Sequence, residues 1–406
     1  MTMADHGGHA KPFRPALRHA LAVLAWLATA TLPTPIEAQP VTPWRPEAVA
    51  ALQGVVDRLP EHGLDPRHYA IPAPATGAAI EALALELAAD LTVGRQGSAV
   101  YGAEPREAVK VRLRQPLRDA LVSSPALAIP AFYATLPPQD ATYGVLQRGL
   151  AGETDPARRQ ALTATLERRR WLPRGTPARL LLVNIPAYEL TFYEAGALVT
   201  VHPVIVGQPA HPTPLMQVAA PGITLNPWWN VPDRIAREKL WPKLRRDPRL
   251  AASMGYVIDN GRIRQKPGPK NALGQLKFVM PNGLDVYLHD TPDKALFDRQ
   301  TRALSNGCVR VQAVKALAAR LLPTPEWTPD RLDDALATGA TRTLSFAAPA
   351  IVRTVYETAQ VQPDGSIRIL SDIYNWDAPL VASLAGPGAR SAPAPGLSPA
   401  IAQCLG

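Results

Sequence analysis

At 406 residues and 47% hydrophobic, the chain is long enough to bury two or three packed units. Lys+Arg 43 against Asp+Glu 34 gives a net charge of +9, about +8 once residues 1–38 are set aside, which suits an anionic polymer or surface. The basic residues are scattered rather than interleaved with aromatics, which argues against nucleic acid. No glycine-rich loop announces a nucleotide, and the five histidines beyond residue 38 form no metal cluster, so no cofactor is expected.

In chain order, residues 1–38 read as a secretory signal. Lys11, Arg14 and Arg18 precede the apolar run ALAVLAWLATATL, and Ile36-Glu37-Ala38 supplies a cleavage site. An uncleaved anchor is the alternative, although the run is shorter than the ~20 residues that span a bilayer. Export implies an oxidising compartment, yet the two cysteines, Cys308 and Cys404, lie far apart, and both are expected to be free. Residues 39–175 then read as helical. One short amphipathic helix closes at His62-Gly63, and others follow at 77–96, 107–121, about 124–135 and 156–170. His62 and His68 lack the companions of a metal site and are expected at the surface. Arg168, Arg169 and Arg170 are expected either against an anionic glycan or on a solvated face.

From Ala178 the apolar period becomes two: ARLLLVNIP, YELTFYEAG and ALVTVHPVIVG read as consecutive strands with a turn at 194–196. The run Asn226-Pro227-Trp228-Trp229-Asn230 predicts either a packed corner or a substrate contact. Residues 232–270 look inserted, with a basic helix and then a polar stretch carrying Arg262, Arg264, Lys266 and Lys270. LDVYLHD alternates as a strand ending near His289. Cys308 follows 19 residues later, at a turn entering a helix over VQAVKALAARLL. A thiol is useful only as thiolate, so His289 is the candidate base and Cys308 the candidate nucleophile. The helix N-terminus and Gly307 would favour an oxyanion, Tyr287 would offer a further donor, and Arg310 would add positive charge. A helix capped at Thr328 and stopping at Gly339 follows, then two strands around residues 363–365, and a low-complexity tail at 385–406 expected to be disordered.

Ser-x-Gly-Cys-x-Arg with a strand-borne histidine upstream resembles the L,D-transpeptidase catalytic domain (the YkuD domain). HDTP…RALSNGCVRV, PGPKNALG…KFVMPN, HGLDPRHY and LERRRWLP resemble its large periplasmic, YcbB-like branch. The resemblance implies an α+β fold: a mixed, β-sandwich-like catalytic domain with an inserted capping subdomain, plus a mainly helical scaffold. The expected division is a signal at 1–38, scaffold at 39–175, catalytic domain at 176–325 with the cap at about 232–270, and a second scaffold part at 326–384. Residues 142–156 are too short for the peptidoglycan-binding module many relatives carry there, and Asn306 stands where many have histidine. The resemblance implies a periplasmic cysteine acyltransferase acting on peptidoglycan stem peptides and open to carbapenems. Its membrane contact would be limited to an uncleaved signal. Substrate contacts would fall at Asn226, Trp228, Trp229, Asn271, Ser305 and Asn306. Diaminopimelate 3→3 cross-links are the expected product, with 1→3 cross-links or stem-peptide hydrolysis as alternatives.

Overall fold

The computed structural model describes residues 44–71, 73–74, 76–96 and 100–385. The expected signal, Cys404 and the tail beyond residue 385 lie outside them. Helix α1 (Pro46–Asp57) starts on a proline and buries Ala48, Leu52 and Val56, spaced four apart. Helix α2 (Gly77–Val93), capped where the Thr76 hydroxyl accepts from the Ala79 amide (3.3 Å), is apolar nearly all round and forms the centre of the helical part. Helices α3 (Arg106–Ser123) and α4 (Pro125–Ala134) pack around it through Val109, Leu113, Leu117 and Ile129.

Residues 142–156 are not an open connection. They hold most of α5 (Ala141–Ala151), capped by Asp140, whose Tyr143, Leu146 and Leu150 pack on α6 (Pro156–Arg170). Neither expectation for the three arginines of α6 holds, because this helix runs through the interior. Arg170 is 1% exposed and paired with Glu167 at 2.6 Å, and Arg168 is 3% exposed and paired with Asp377 at 2.6 Å. Arg169 bridges Asp140 (2.7 Å) and Glu357 (2.8 Å). Their donors serve internal carboxylates and carbonyls, not a glycan or bulk water. His62 is likewise drawn inward, contacting the Tyr143 hydroxyl (3.1 Å) and the Gln147 amide (3.2 Å).

The remaining chain builds a mixed sheet. Its strands are β1 (Arg179–Asn184), β2 (Glu189–Glu194), β3 (Ala197–Gly207) and β4 (Met216–Leu225), with β5 (Trp229–Asn230), β6 (Tyr256–Asp259) and β7 (Arg262–Gln265) set apart in the cap. They are followed by β8 (Leu276–Val279), β9 (Leu288–His289), β10 (Ala303–Ser305), β11 (Val309–Val311) and β12 (Arg342–Val355). The main sheet runs β10-β3-β11-β9-β8-β4-β12-β1-β2, and β2 also pairs with β3, which closes it on itself. Closure leaves β2 no open edge and encloses an apolar core that includes Val183, Phe192, Val206, Phe278 and Val352. The long β3 makes this possible by pairing β2 along its first half and β11 and β10 along its second.

One boundary differs from the expected division. Strand β12 lies between β4 and β1, in the middle of the sheet, so the sheet that carries His289 continues well past residue 325. Beyond it, β13 (Ala359–Val361) and β14 (Ile367–Ile369) form the hairpin around residues 363–365 and pack on α5 and α6, back in the helical part. The described residues fall within a single compact unit. In the insert, α7 (Asp233–Ile235), a π-turn (Ala236–Leu240), α8 (Trp241–Arg246) and α9 (Arg249–Ser253) join the β5-β7-β6 sheet over a small core of Val231, Ala236, Leu240, Leu244 and Ile263. The chain from Cys308 does not enter a helix: β11 comes first, and α10 (Val314–Leu321) begins only at Val314. The apolar spacing of VQAVKALAARLL belongs to a helix one strand later. Helix α11 (Pro329–Ala337) is capped by Thr328 as expected, and α12 (Asp377–Ala385) ends the described chain.

Candidate active site

Three short strands set the site. β9 and β11 run parallel with His289 beside Arg310, and β8 runs antiparallel with Lys277 beside His289. Side chains of directly paired residues share a face, so Lys277, His289 and Arg310 form one row across the sheet. Two residues earlier on their chains, Tyr287 and Cys308 belong to the same face. The Tyr287 and His289 rings meet edge-on at 6.1 Å, and the Lys277 ammonium sits 4.5 Å from the Tyr287 ring centre. Of the expected strand at 284–290, only Leu288–His289 pairs as strand. The preceding loop is braced by Asn282, which accepts from the Leu284 amide (3.0 Å) and donates to the Val286 carbonyl (2.9 Å).

His289 is 5% exposed, and its Nδ1 lies 2.5 Å from the Asp290 carbonyl. A carbonyl only accepts, so Nδ1 carries the proton and Nε2 keeps the lone pair that could take another. Burial, with the Arg310 charge alongside, pushes the imidazole down to about 3. Cys308 is a half-buried free thiol that donates to the Asp285 carbonyl at 3.5 Å and not to His289. Burial pushes it up to about 11, partly offset by the Tyr287 amide, Lys277 and Arg310. Thiol and imidazole are therefore both neutral at pH 7 in this state. Burial also raises the Tyr287 hydroxyl, which stays protonated as a donor.

The turn before Cys308 is tied down from inside. Ser305 is 3% exposed; its hydroxyl accepts from the Gly307 amide (3.1 Å) and donates to the Cys308 carbonyl (2.5 Å). That geometry makes Ser305 a brace of the turn and leaves the Gly307 N–H engaged, not open to an oxyanion. Gly307 has φ +116°, a conformation L residues rarely adopt. Its carbonyl accepts from the buried Thr213 hydroxyl (2.8 Å), which in turn accepts from the Gly207 amide (2.8 Å). Tyr374, from the C-terminal region, closes the network by donating to the Gly207 carbonyl (2.6 Å). The bond from Thr213 to Gly307 and that from Tyr374 to Gly207 leave no short-range trace in the sequence, because these partners lie 94 and 167 residues apart.

Asn226 and Asn271 are also structural. Asn226, 6% exposed, donates to the Leu336 carbonyl (2.9 Å), and its own carbonyl accepts from Thr341 (2.6 Å). Asn271, 1% exposed, donates to the Pro227 (3.0 Å) and Lys266 (2.9 Å) carbonyls and accepts from the Leu273 amide (2.8 Å), anchoring the base of the cap. Gly274 follows because Asp290 packs on its α-carbon and takes the Gln275 amide (2.9 Å); any Cβ there would meet the carboxylate. Asn306 contacts the cap instead, accepting from Lys239 at 2.5 Å. Trp229 is half-buried against the cap core, while Trp228 stacks under the Arg264 guanidinium (4.5 Å). Trp228, Arg262 and Arg264 on the cap side, with Lys277 from β8 and Asp285 and Tyr287 from the loop before β9, line a groove of about 960 Å³, and the carbonyl of its lining residue Asp285 accepts from Cys308.

Residues 178–334 match the family described as the L,D-transpeptidase catalytic domain, YkuD. A candidate L,D-transpeptidase of Haemophilus influenzae is 37% identical over 218 residues, 48% of this chain and 44% of that protein, so the chain spans less than half the length of this curated relative. Among solved structures, L,D-transpeptidase 1 of Mycobacterium tuberculosis is 15% identical with a TM-score of 0.21, over 44% of this chain and 61% of that one. An L,D-transpeptidase of Mycobacterium smegmatis is 16% identical with a TM-score of 0.25, over 43% of this chain and 58% of that one. Residues 178–334, which carry both His289 and Cys308, are thus the part of the chain that is similar to the YkuD L,D-transpeptidase catalytic domain.

Proposed function

We propose that the protein is a periplasmic peptidoglycan L,D-transpeptidase that joins stem peptides through a Cys308 thioester. The observation carrying this reading is the single sheet face shared by Cys308, His289 and Arg310, next to residues that line a groove partly walled by the cap, within a segment similar to that family. His289 Nε2 takes the Cys308 proton as the sulfur attacks a stem-peptide carbonyl. The C–N bond breaks, and the departing amino acid leaves with the proton returned from His289. An acceptor amine of a second stem attacks the thioester, gives its proton to His289, and the C–S bond breaks to restore the thiol. Atoms balance without metal or cofactor.

With the Gly307 amide held by Ser305, the oxyanion donors in this reading are the Cys308 amide, which donates to no group among the described residues, and the Tyr287 hydroxyl. Arg310, held 3.7 Å from Asp293, orients the loop and adds positive charge. Trp228 and the cap arginines face the donor stem, whose carboxylates suit a cationic groove. Diaminopimelate 3→3 linkage is the favoured product.

The test is mass spectrometry of products from a disaccharide-tetrapeptide, with Cys308→Ala as control. A dimer that has lost one terminal D-Ala supports 3→3 transfer, and a dimer lacking most of one stem means 1→3 transfer. Monomers cleaved by water alone mean a hydrolase. Unchanged products from Cys308→Ala would sink the thioester mechanism.

A further inference from the structure

We infer that Lys277 supplies much of the positive field in which the Cys308 sulfur carries negative charge, acting as a positioning residue for the thiolate. The inference deepens the proposed function and rests on Cys308 as nucleophile. Its starting point is a gap: a helix N-terminus behind the thiol would have supplied this field, but Cys308 opens a strand. The Gly307 amide is engaged by Ser305, which leaves the Tyr287 amide as the backbone donor favouring the thiolate. Full positive charge can come only from side chains on the same face.

Two fixed cations stand there, one on each side of His289 in the row set by the strand pairing: Arg310 on β11 and Lys277 on β8. They differ in what holds them. Arg310 lies 3.7 Å from Asp293, which draws off part of its field. Lys277 forms no ion pair or hydrogen bond among the described residues. It is half-buried on the Tyr287 ring at 4.5 Å and lines the groove together with Asp285, whose carbonyl accepts from Cys308. An ammonium taken partly out of water without a carboxylate partner is costly, and in a strand whose neighbours Leu276 and Phe278 are buried an apolar residue would pack as well. The charges acting on the sulfur divide accordingly: Lys277 and Arg310 favour the thiolate, and Asp285 opposes it. The effect is mutual, since Cys308 and Asp285 both favour the charged form of Lys277 against its burial. The Tyr287 ring, with its electron-rich face under the ammonium, fixes where that charge stands.

The experiment uses the whole protein and a neutral alkylating reagent, iodoacetamide, so that reagent charge does not enter. The rate of Cys308 alkylation is followed from pH 6 to 11 for the wild type, Lys277→Met and Lys277→Arg, with circular dichroism and thermal melting as fold controls. The expected result is a Lys277→Met profile moved to higher pH by about one unit, hence about tenfold slower alkylation on its lower limb, with Lys277→Arg within about threefold of the wild type. A Lys277→Met profile superimposed on the wild type, with the fold intact, would overturn the inference and leave Lys277 a packing residue. If the methionine variant does not fold, Lys277→Gln is read in the same way. Alkylation reads the thiol and not the cross-linking reaction. A shifted profile with no dimeric product would therefore remove the transpeptidase reading alone, and normal dimers with an unshifted profile would remove this one alone.

Discussion

His289 and Cys308 sit at neutral pH as imidazole and thiol, because burial penalises the charged form of each. The consequence for stability has a definite sign. Unfolded, His289 binds a proton near pH 6.5, whereas folded it does so only near 3. Between those values the unfolded chain holds the extra proton, so stability is full above pH 6.5 and is lost as pH falls toward 3. His62, pushed down to about 4 by burial and by Arg170, adds a contribution of the same sign. Denaturant unfolding of His289→Gln across pH 3 to 6.5 should show a slope shallower by roughly 1.4 kcal/mol per pH unit; an unchanged slope would mean the histidine is not buried neutral. At Gly307, the nearest atom to an added Cβ is 3.7 Å away, so a Gly307→Ala variant has room but the wrong φ. It should fold with a loss of about 1–3 kcal/mol and acylate slowly with a carbapenem. Wild-type acylation would show that the turn tolerates relaxation.

The turn before Cys308 is held by partners from elsewhere in the chain, and this is where single hydroxyls matter. Thr213 joins the end of β3 to the Gly307 carbonyl. Thr213→Val keeps the shape but strands the Gly207 amide and leaves the Gly307 carbonyl without its donor, for a cost of about 1–3 kcal/mol together with weaker acylation of Cys308. A variant that loses stability yet acylates normally would uncouple this brace from the site. Elements predicted from periodicity fared well where the pattern was long, as in α2, α6 and β1 to β3. They failed where a short strand and a helix abut: β11 is three residues, too few to register as alternation ahead of the stronger helical spacing that begins at Val314.

Across the whole molecule, α6 is the joint between the helical part and the sheet, and its charges are internal. Arg170 bonds the His62 carbonyl (2.9 Å) and the Tyr143 hydroxyl (2.9 Å) besides Glu167, while Glu167 takes the Arg95 amide (2.6 Å) and the Trp171 indole (3.0 Å). Arg170→Met should cost about 3–5 kcal/mol in urea unfolding because it leaves Glu167 charged and buried. A loss under about 1 kcal/mol would mean the pair is solvated. The cleft chemistry and this joint are separate, so the surviving folded fraction should alkylate at Cys308 with the wild-type pH profile.

The pairing of Cys308 with His289 as candidates, the change from helical to strand period at Ala178 and the existence of the insert were legible in the sequence, because each is a local pattern or a rare residue in a distinctive neighbourhood. Only the tertiary structure decided that β12 completes the sheet, that Arg168 to Arg170 are interior, and that Asn226, Asn271 and Ser305 bond backbone carbonyls of the fold. It alone set Lys277 in the row with His289 and Arg310. The reason is physical: a polar side chain is the same letter whether it meets substrate, water or a buried carbonyl. Which of these it meets depends on strand pairing and packing between residues far apart in the chain, where no local period carries the information.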